Sequence, residues 1–253
     1  MPRIFGQHFL RSKPVLEKIA AAVAPDGIEP HIVEIGPGQG ALTEYLLPRA
    51  ERITAIEVDP AMVAALPAHE KLTVLHQDVL TADLRALAPF TLAGNLPYYI
   101  SSPIMAKVFE AVGAWNRAVF LVQLEVAQRM CSAPNSRDYG YLSVLTQVHC
   151  RAKLLFQVPP GAFAPPPKVK SSVILLEPKP VDARALKPFL RFVSAAFQQK
   201  RKTLRNNLGV LFPKTLVEAQ PEANLRAEQL SIEGLSDLYQ RLSQTAPNVI
   251  LTD

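Results

Sequence analysis

His31-Ile32-Val33-Glu34-Ile35-Gly36-Pro37-Gly38-Gln39-Gly40 decides the fold. Its first half is apolar and β-branched, and it breaks into three glycines at alternate positions. That is the pattern of a buried strand that ends in a tight turn before a helix. Three further apolar, β-rich runs follow at Arg52–Val58, Leu72–His76 and Phe90–Ala93, and a fourth at Ala118–Leu124. Between them, Leu42–Leu47, Ala61–Leu66 and Ser102–Val112 have helical spacing, the last with Ser101 or Ser102 as the expected cap and Pro103 in its first turn. Strands alternating with helices predict a parallel sheet covered on both faces, an α/β fold. Arg151–Val158 and Val169–Leu176 read as strands joined by Pro159–Lys168, too rich in proline for regular structure. A loop in place of a helix there predicts an antiparallel hairpin at the sheet edge. Glu177–Pro180 is the expected linker. The sheet domain is therefore placed at residues 1–180 and a small all-helical domain at 181–253, where Phe189, Phe192, Val193 and Ala196 share one face.

The chain has 253 residues, 49% hydrophobic and 19% charged, enough to bury a substantial core. No apolar run approaches the ~20 residues that span a bilayer, and Met1–Lys13 does not have the form of a secretory signal. Cys131 and Cys150 form no close pair and the five histidines are scattered, so both thiols are expected to be reduced, the protein cytoplasmic, and no metal is indicated. A net charge of +5 favours a polyanionic partner without proving one.

In a doubly wound sheet, ligands sit beyond the carboxyl ends of the strands. Four groups fall there. The glycines of Glu34–Gly40 are spaced G-x-G-x-G, not the G-x-G-x-x-G of a pyrophosphate site. Glu57 lies about 20 positions beyond Gly36, where a carboxylate accepts hydrogen bonds from ribose hydroxyls. Asp78, after the third strand, is placed to accept from an adenine amino group. A glycine loop with two such acids describes a nucleoside pocket without a phosphate site, which fits S-adenosylmethionine better than NAD. The plain alternatives are a turn and two solvated loop charges.

The fourth group is Asn95-Leu96-Pro97-Tyr98. The N6 amine of adenine is a poor nucleophile because its lone pair is delocalised into the ring. An Asn95 side-chain oxygen and a nearby backbone carbonyl can accept from both N6 hydrogens, localising and aiming that pair. Pro97 stiffens the backbone, and Tyr98 can stack on the base. Phe163, in Gly161–Pro167, is the candidate for the opposing wall, with core packing as its alternative. Trp115 reads as packing.

These residues resemble the ribosomal RNA adenine dimethyltransferase family, and its bacterial small-subunit branch closely. The resemblance covers nearly the whole chain. It starts with Phe5-Gly6-Gln7-His8-Phe9-Leu10, runs through the groups above and Phe163–Lys168, and reaches Phe197–Leu208. It implies a Rossmann-like class I methyltransferase with S-adenosylmethionine as cofactor. The implied reaction is dimethylation of two adjacent adenines in a hairpin near the 3′ end of 16S rRNA, within an immature small subunit. Carried over, His8, Leu10, Gly36, Gly38, Glu57, Asp78 and Asn95 line the cofactor site, while Asn95, Pro97 and Tyr98 hold the target. His8 and Tyr99 stand where members of the family often have Asn. Lys200, Arg201, Lys202 and Arg205 form the densest basic cluster, expected on RNA phosphates; the alternative is a solvated helix surface. Nothing suggests more than a monomer. The rivals are the related 23S rRNA methyltransferases of macrolide resistance, a non-catalytic assembly or transcription factor on the same fold, and a DNA adenine methyltransferase.

Overall fold

The computed structural model describes residues 8–182 and 184–246. Within them the chain forms two compact units, one of residues 8–127 and 150–180, the other of 128–149, 181–182 and 184–246. The expected division at 180 had kept 128–149 with the sheet. That segment belongs with the helices because its Tyr139 and Val144, both fully buried, are part of the helical core.

The first unit is a seven-stranded sheet. In chain order its elements are β1 (Phe9–Leu10), α1 (Lys13–Val23), β2 (Glu29–Ile35), α2 (Thr43–Leu46), β3 (Ala50–Glu57), α3 (Pro60–Ala65), β4 (Leu72–His76) and β5 (Phe90–Asn95). Next come α4 (Ser101–Glu110), β6 (Trp115–Gln123), the start of α5 (Leu124–Cys131), β7 (Cys150–Val158), β8 (Phe163–Ala164) and β9 (Ser171–Pro178). The order across the sheet is β4-β3-β2-β5-β6-β9-β7. The first five strands are parallel, β9 runs antiparallel to β6, and β7 runs antiparallel to β9 at the edge. The unbroken burial of Ile32, Val33 and Ile35 in β2 follows from helices covering both faces of a parallel sheet. Helix α1 had no place in the sequence-based assignment, yet its buried Leu16, Ile19, Ala20 and Val23 recur at helical spacing.

Several local expectations are corrected. Helix α4 starts at Ser101 with Ile100 in the cap position, and neither serine caps it; Ser101 Oγ donates to the Tyr98 carbonyl at 3.4 Å. The proline-rich connection holds a 3₁₀ turn at Pro160–Ala162 and the short strand β8, which pairs antiparallel with β1. Phe163 and Ala164 can join a ladder because they, unlike the prolines around them, keep an amide donor. Strand β9 runs on into the expected linker, with Pro178 opposite Cys150 at the end of the ladder, where a missing donor costs least. Trp115 is buried, with its indole N–H on the Val108 carbonyl at 3.0 Å.

The second unit contains α6 (Tyr141–His149), α7 (Lys187–Ala196), α8 (Leu204–Leu208), α9 (Lys214–Glu218) and α10 (Ile232–Thr245), besides the end of α5. Phe189, Phe192, Val193 and Ala196 form one buried face of α7, which meets Leu238 and Leu242 of α10 in a single core. No helix among the described residues is long and apolar enough to cross a membrane.

Candidate active site

The strand order places the carboxyl ends of β4, β3, β2 and β5 side by side, so the four groups singled out in the sequence fall along one edge. Between them lies a cleft of about 1080 Å³, counting its open mouth. His8, Leu10, Gly36, Gly38, Glu57, Asp78, Asn95, Pro97 and Tyr98 all line it.

The glycine loop is built on left-handed backbone: φ is +66° at Gly36 and +55° at Gly38, values that L side chains adopt only with strain. The turn brings the Gly38 amide to Glu57, whose Oε2 accepts it at 3.1 Å, while Oε1 accepts from Val58 N at 2.9 Å and Asp59 N at 3.0 Å. Three amides thus fix the Glu57 side chain at the end of β3, 6% exposed. Asp78 is exposed and its Oδ1 accepts from Leu80 N at 2.9 Å, which orients the side chain beside the cleft. Beneath the loop, Glu34 is buried and accepts from the Thr43 hydroxyl at 2.7 Å. Burial, aided by the charge of Glu57, pushes the Glu34 pKa up to about 7 against the pull of that hydrogen bond.

The N-terminal strap closes this end of the cleft. Phe9 lies so close to the glycine loop that a Cβ on Gly38 would meet its ring at 3.3 Å. The Arg11 guanidinium lies 5.9 Å from the centre of the Phe9 ring and donates to the Gln39 side chain. Leu10 is buried beneath. Phe5, Gly6 and Gln7, the first part of the N-terminal motif, lie outside the described residues.

The target end is held from three directions. Asn95 Nδ2 donates to the His8 carbonyl at 3.2 Å, which leaves Oδ1 as the acceptor of that amide. The His8 contact is therefore a backbone one, and it does not depend on the side chain at that position. The His8 ring lies 5.6 Å from that of Tyr98, and its Nδ1–H donates to the Pro165 carbonyl at 2.9 Å. Tyr98 is half-buried and its hydroxyl is hydrogen-bonded to Ser171 Oγ at the start of β9. Burial pushes its pKa up, partly offset by that hydrogen bond. The turn is closed by Ile100 N on the Pro97 carbonyl at 3.2 Å. Both ends meet because of Gly94: a Cβ there would lie 2.6 Å from the Ile35 carbonyl oxygen, so only glycine lets the glycine loop and the Asn95 turn come this close.

Phe163 is not part of the cleft. It is 5% exposed and packs in the core with Leu10, Leu16 and Ile19, because its pairing opposite Leu10 in the β1–β8 ladder buries it. Glu34, Gly94 and Ser171 were not assigned roles from sequence. A buried acid ahead of a glycine loop was a visible signal for the first; the other two act through contacts distant in sequence.

The basic cluster lies in the second unit: Lys200, Arg201 and Lys202 are on the turn between α7 and α8, and Arg205 is on α8. Asn207, 4% exposed, shapes this turn by donating to the carbonyls of Ala196 at 2.7 Å and Gln199 at 3.1 Å. Lys200 is tied to the Arg137 carbonyl and lies 3.9 Å from Glu228, and Arg205 lies 3.9 Å from Glu218. Arg201 and Lys202 are exposed.

Residues 2–244 match the family model for ribosomal RNA adenine dimethylase. The chain belongs to that family. Ribosomal RNA small subunit methyltransferase A of Salmonella typhimurium is 39% identical to it over 256 residues, covering 96% of this chain and 93% of the relative. A dimethyladenosine transferase from Plasmodium falciparum has the same fold, with a TM-score of 0.79 at 24% identity over 94% of this chain and 98% of that one. The 23S rRNA methyltransferase ErmE superposes with a TM-score of 0.64 at 28% identity, over 93% and 100% of the two chains. The fold is thus that of the class I methyltransferases, and the cofactor of this family member is S-adenosylmethionine.

The cleft suits that cofactor. Among the described residues its lining includes the carboxyl groups of Glu57 and Asp78, with Glu34 buried beneath, and neither Lys nor Arg. Such a lining favours a ligand carrying a sulfonium and an ammonium and disfavours a pyrophosphate. The fixed Glu57 side chain and the close glycine backbone add an acceptor and a shaped wall for a nucleoside.

Proposed function

We propose that this methyltransferase dimethylates N6 of two adjacent adenines in a hairpin near the 3′ end of 16S rRNA, late in small-subunit biogenesis, acting as a cytoplasmic monomer. The observation that carries the reading is the Asn95–Tyr98 turn beside the glycine loop in one cleft, with the Asn95 amide oriented by the His8 carbonyl.

In this reading the sheet unit carries the chemistry, and the helical unit presents RNA contacts through Arg201 and Lys202, with Lys200 and Arg205 beside them. Glu57 accepts from the ribose hydroxyls and Asp78 from the adenine amine of the cofactor. Gly36 and Gly38 let it approach the backbone, and His8 and Leu10 cover it. Bound S-adenosylmethionine supplies an electrophilic methyl group on its sulfonium. The target adenine must leave its stack to reach the cleft. Tyr98, held by Ser171, offers a stacking face worth about 1–3 kcal/mol. Asn95 Oδ1 accepts one N6 hydrogen and the backbone carbonyl stiffened by Pro97 accepts the other, so the lone pair is localised on nitrogen and aimed. The nitrogen becomes acidic as it is alkylated and releases its proton to water, so no strong base is required. The rate gain comes from orientation and fixed dipoles. Asn95→Ala is expected to lower the methylation rate by about 10²–10³-fold, the usual effect of removing one such group, while the circular dichroism spectrum and melting temperature stay close to wild type. Near-normal turnover by a folded Asn95→Ala would refute the assignment.

A further inference from the structure

Among the exposed large apolar side chains, two line the cleft: Val58 and Tyr99, 52% and 56% exposed. Val58 follows Glu57 at the cofactor end. Tyr99 follows Tyr98 at the target end, and the contrast between these neighbours is informative. Tyr98 is half-buried, and its hydroxyl is tied to Ser171. Tyr99, one residue on in a turn closed by Ile100 N on Pro97 O, leaves more than half of its surface to solvent. A tyrosine exposed to this degree leaves apolar surface whose burial is favourable. The segment just before Ser171, which anchors Tyr98, adds a second feature. Lys168 and Lys170 are exposed on either side of Val169, itself 45% exposed. The tyrosine pair and this cationic edge are joined by the Tyr98–Ser171 hydrogen bond. Aromatic faces for bases beside cations for phosphates are the makings of a single-strand binding site.

We propose that Tyr99 is a positioning residue that stacks on the nucleobase next to the target adenine, while the lysine edge takes the backbone phosphates of the same unpaired strand. The inference rests on the proposed target site and adds a second base position to it. An extruded adenine drags its neighbour to the mouth of the cleft, where the neighbour loses its own stacking partner. The Tyr99 ring replaces that partner. The target is then held both by its own pocket and by the strand next to it. Tyr99 does not touch the reacting nitrogen, so its contribution appears in RNA binding and not in the chemical step.

The test uses the full chain with Tyr99→Ala and Tyr99→Phe. Two single-stranded RNA oligonucleotides carry 2-aminopurine immediately 5′ or 3′ of an acceptor adenine, and fluorescence is followed on binding. Stacking on Tyr99 predicts that one probe is quenched by wild type and Tyr99→Phe but not by Tyr99→Ala. On small subunits, Tyr99→Ala is expected to raise KM roughly tenfold, within the range of one lost base stack, with kcat changed less than about twofold. Tyr99→Phe should match wild type in both. Quenching that survives in Tyr99→Ala, or equal defects in Tyr99→Ala and Tyr99→Phe, would overturn the proposal. If wild type methylates no adenine, the proposed function fails, while the quenching still decides whether Tyr99 carries a base.

Discussion

Replacing Glu34 with glutamine probes the floor of the cleft through stability alone. The side chain is 1% exposed, its Oε2 accepts from Thr43 at 2.7 Å, and Glu57 lies close enough to repel its charge. Burial is the largest of these influences, and together they raise the pKa from the ordinary 4.5 to about 7. A carboxyl raised in this way favours the folded state when protonated. Its contribution is fully present below 4.5 and is lost as the pH rises through about 7. A displacement of that size corresponds to ~3 kcal/mol, at ~1.36 kcal/mol per tenfold change in proton affinity. Glutamine has the shape and hydrogen-bonding pattern of the protonated acid, so it accepts from Thr43 and never ionises. Urea unfolding of both proteins followed by circular dichroism measures the difference. The two are expected to be equally stable near the lower limit of that range. As the pH is raised past about 7, wild type should lose up to ~3 kcal/mol relative to Glu34→Gln, leaving the variant the more stable. Parallel stability curves across the range would refute the assignment of a neutral Glu34 to the folded state.

Other consequences follow from the same geometry. Glu57→Ala removes an acceptor held by three amides and should weaken S-adenosylhomocysteine binding by calorimetry roughly 10- to 150-fold, the range for hydrogen bonds to a charged group; unchanged affinity would show the ribose assignment to be wrong. Gly94→Ala forces a Cβ against the Ile35 carbonyl oxygen and should lower stability by about 1–3 kcal/mol in chemical denaturation. It should also reduce cofactor affinity, since the two loops it separates form the cleft; a variant with wild-type stability would remove glycine's role there. Replacing Arg201 and Lys202 with Ala should reduce the slope of log affinity against log salt for small-subunit binding by about 1–2, and an unaltered slope would place the RNA contact elsewhere.

What could be read from the sequence follows from how parallel sheets are built. Strands covered on both faces are apolar runs, and in this fold their carboxyl ends meet, so Gly36, Glu57, Asp78 and Asn95 could be placed in one site before any contact was known. Helix α1 has an equally plain signal in Leu16, Ile19, Ala20 and Val23, which recur at helical spacing. Residues 128–149 gave no sign of their partner, since Tyr139 and Val144 meet α7 only through the fold. Phe163 illustrates the opposite error. An aromatic before a proline run looks like a wall for a base, but its exposure is set by the β1–β8 pairing, which no local pattern records. The tie between Tyr98 and Ser171 and the crowding of Gly94 against Ile35 are likewise products of tertiary structure.

The most direct test of the account is incubation of the protein with methyl-labelled S-adenosylmethionine and small subunits lacking the modification. Large subunits, naked rRNA and DNA serve in parallel, and the nucleosides are separated after digestion. The account predicts labelled N6,N6-dimethyladenosine from small subunits alone, at two adjacent adenines of the 16S rRNA. Label confined to large-subunit RNA or DNA, or no label in any sample, would contradict it.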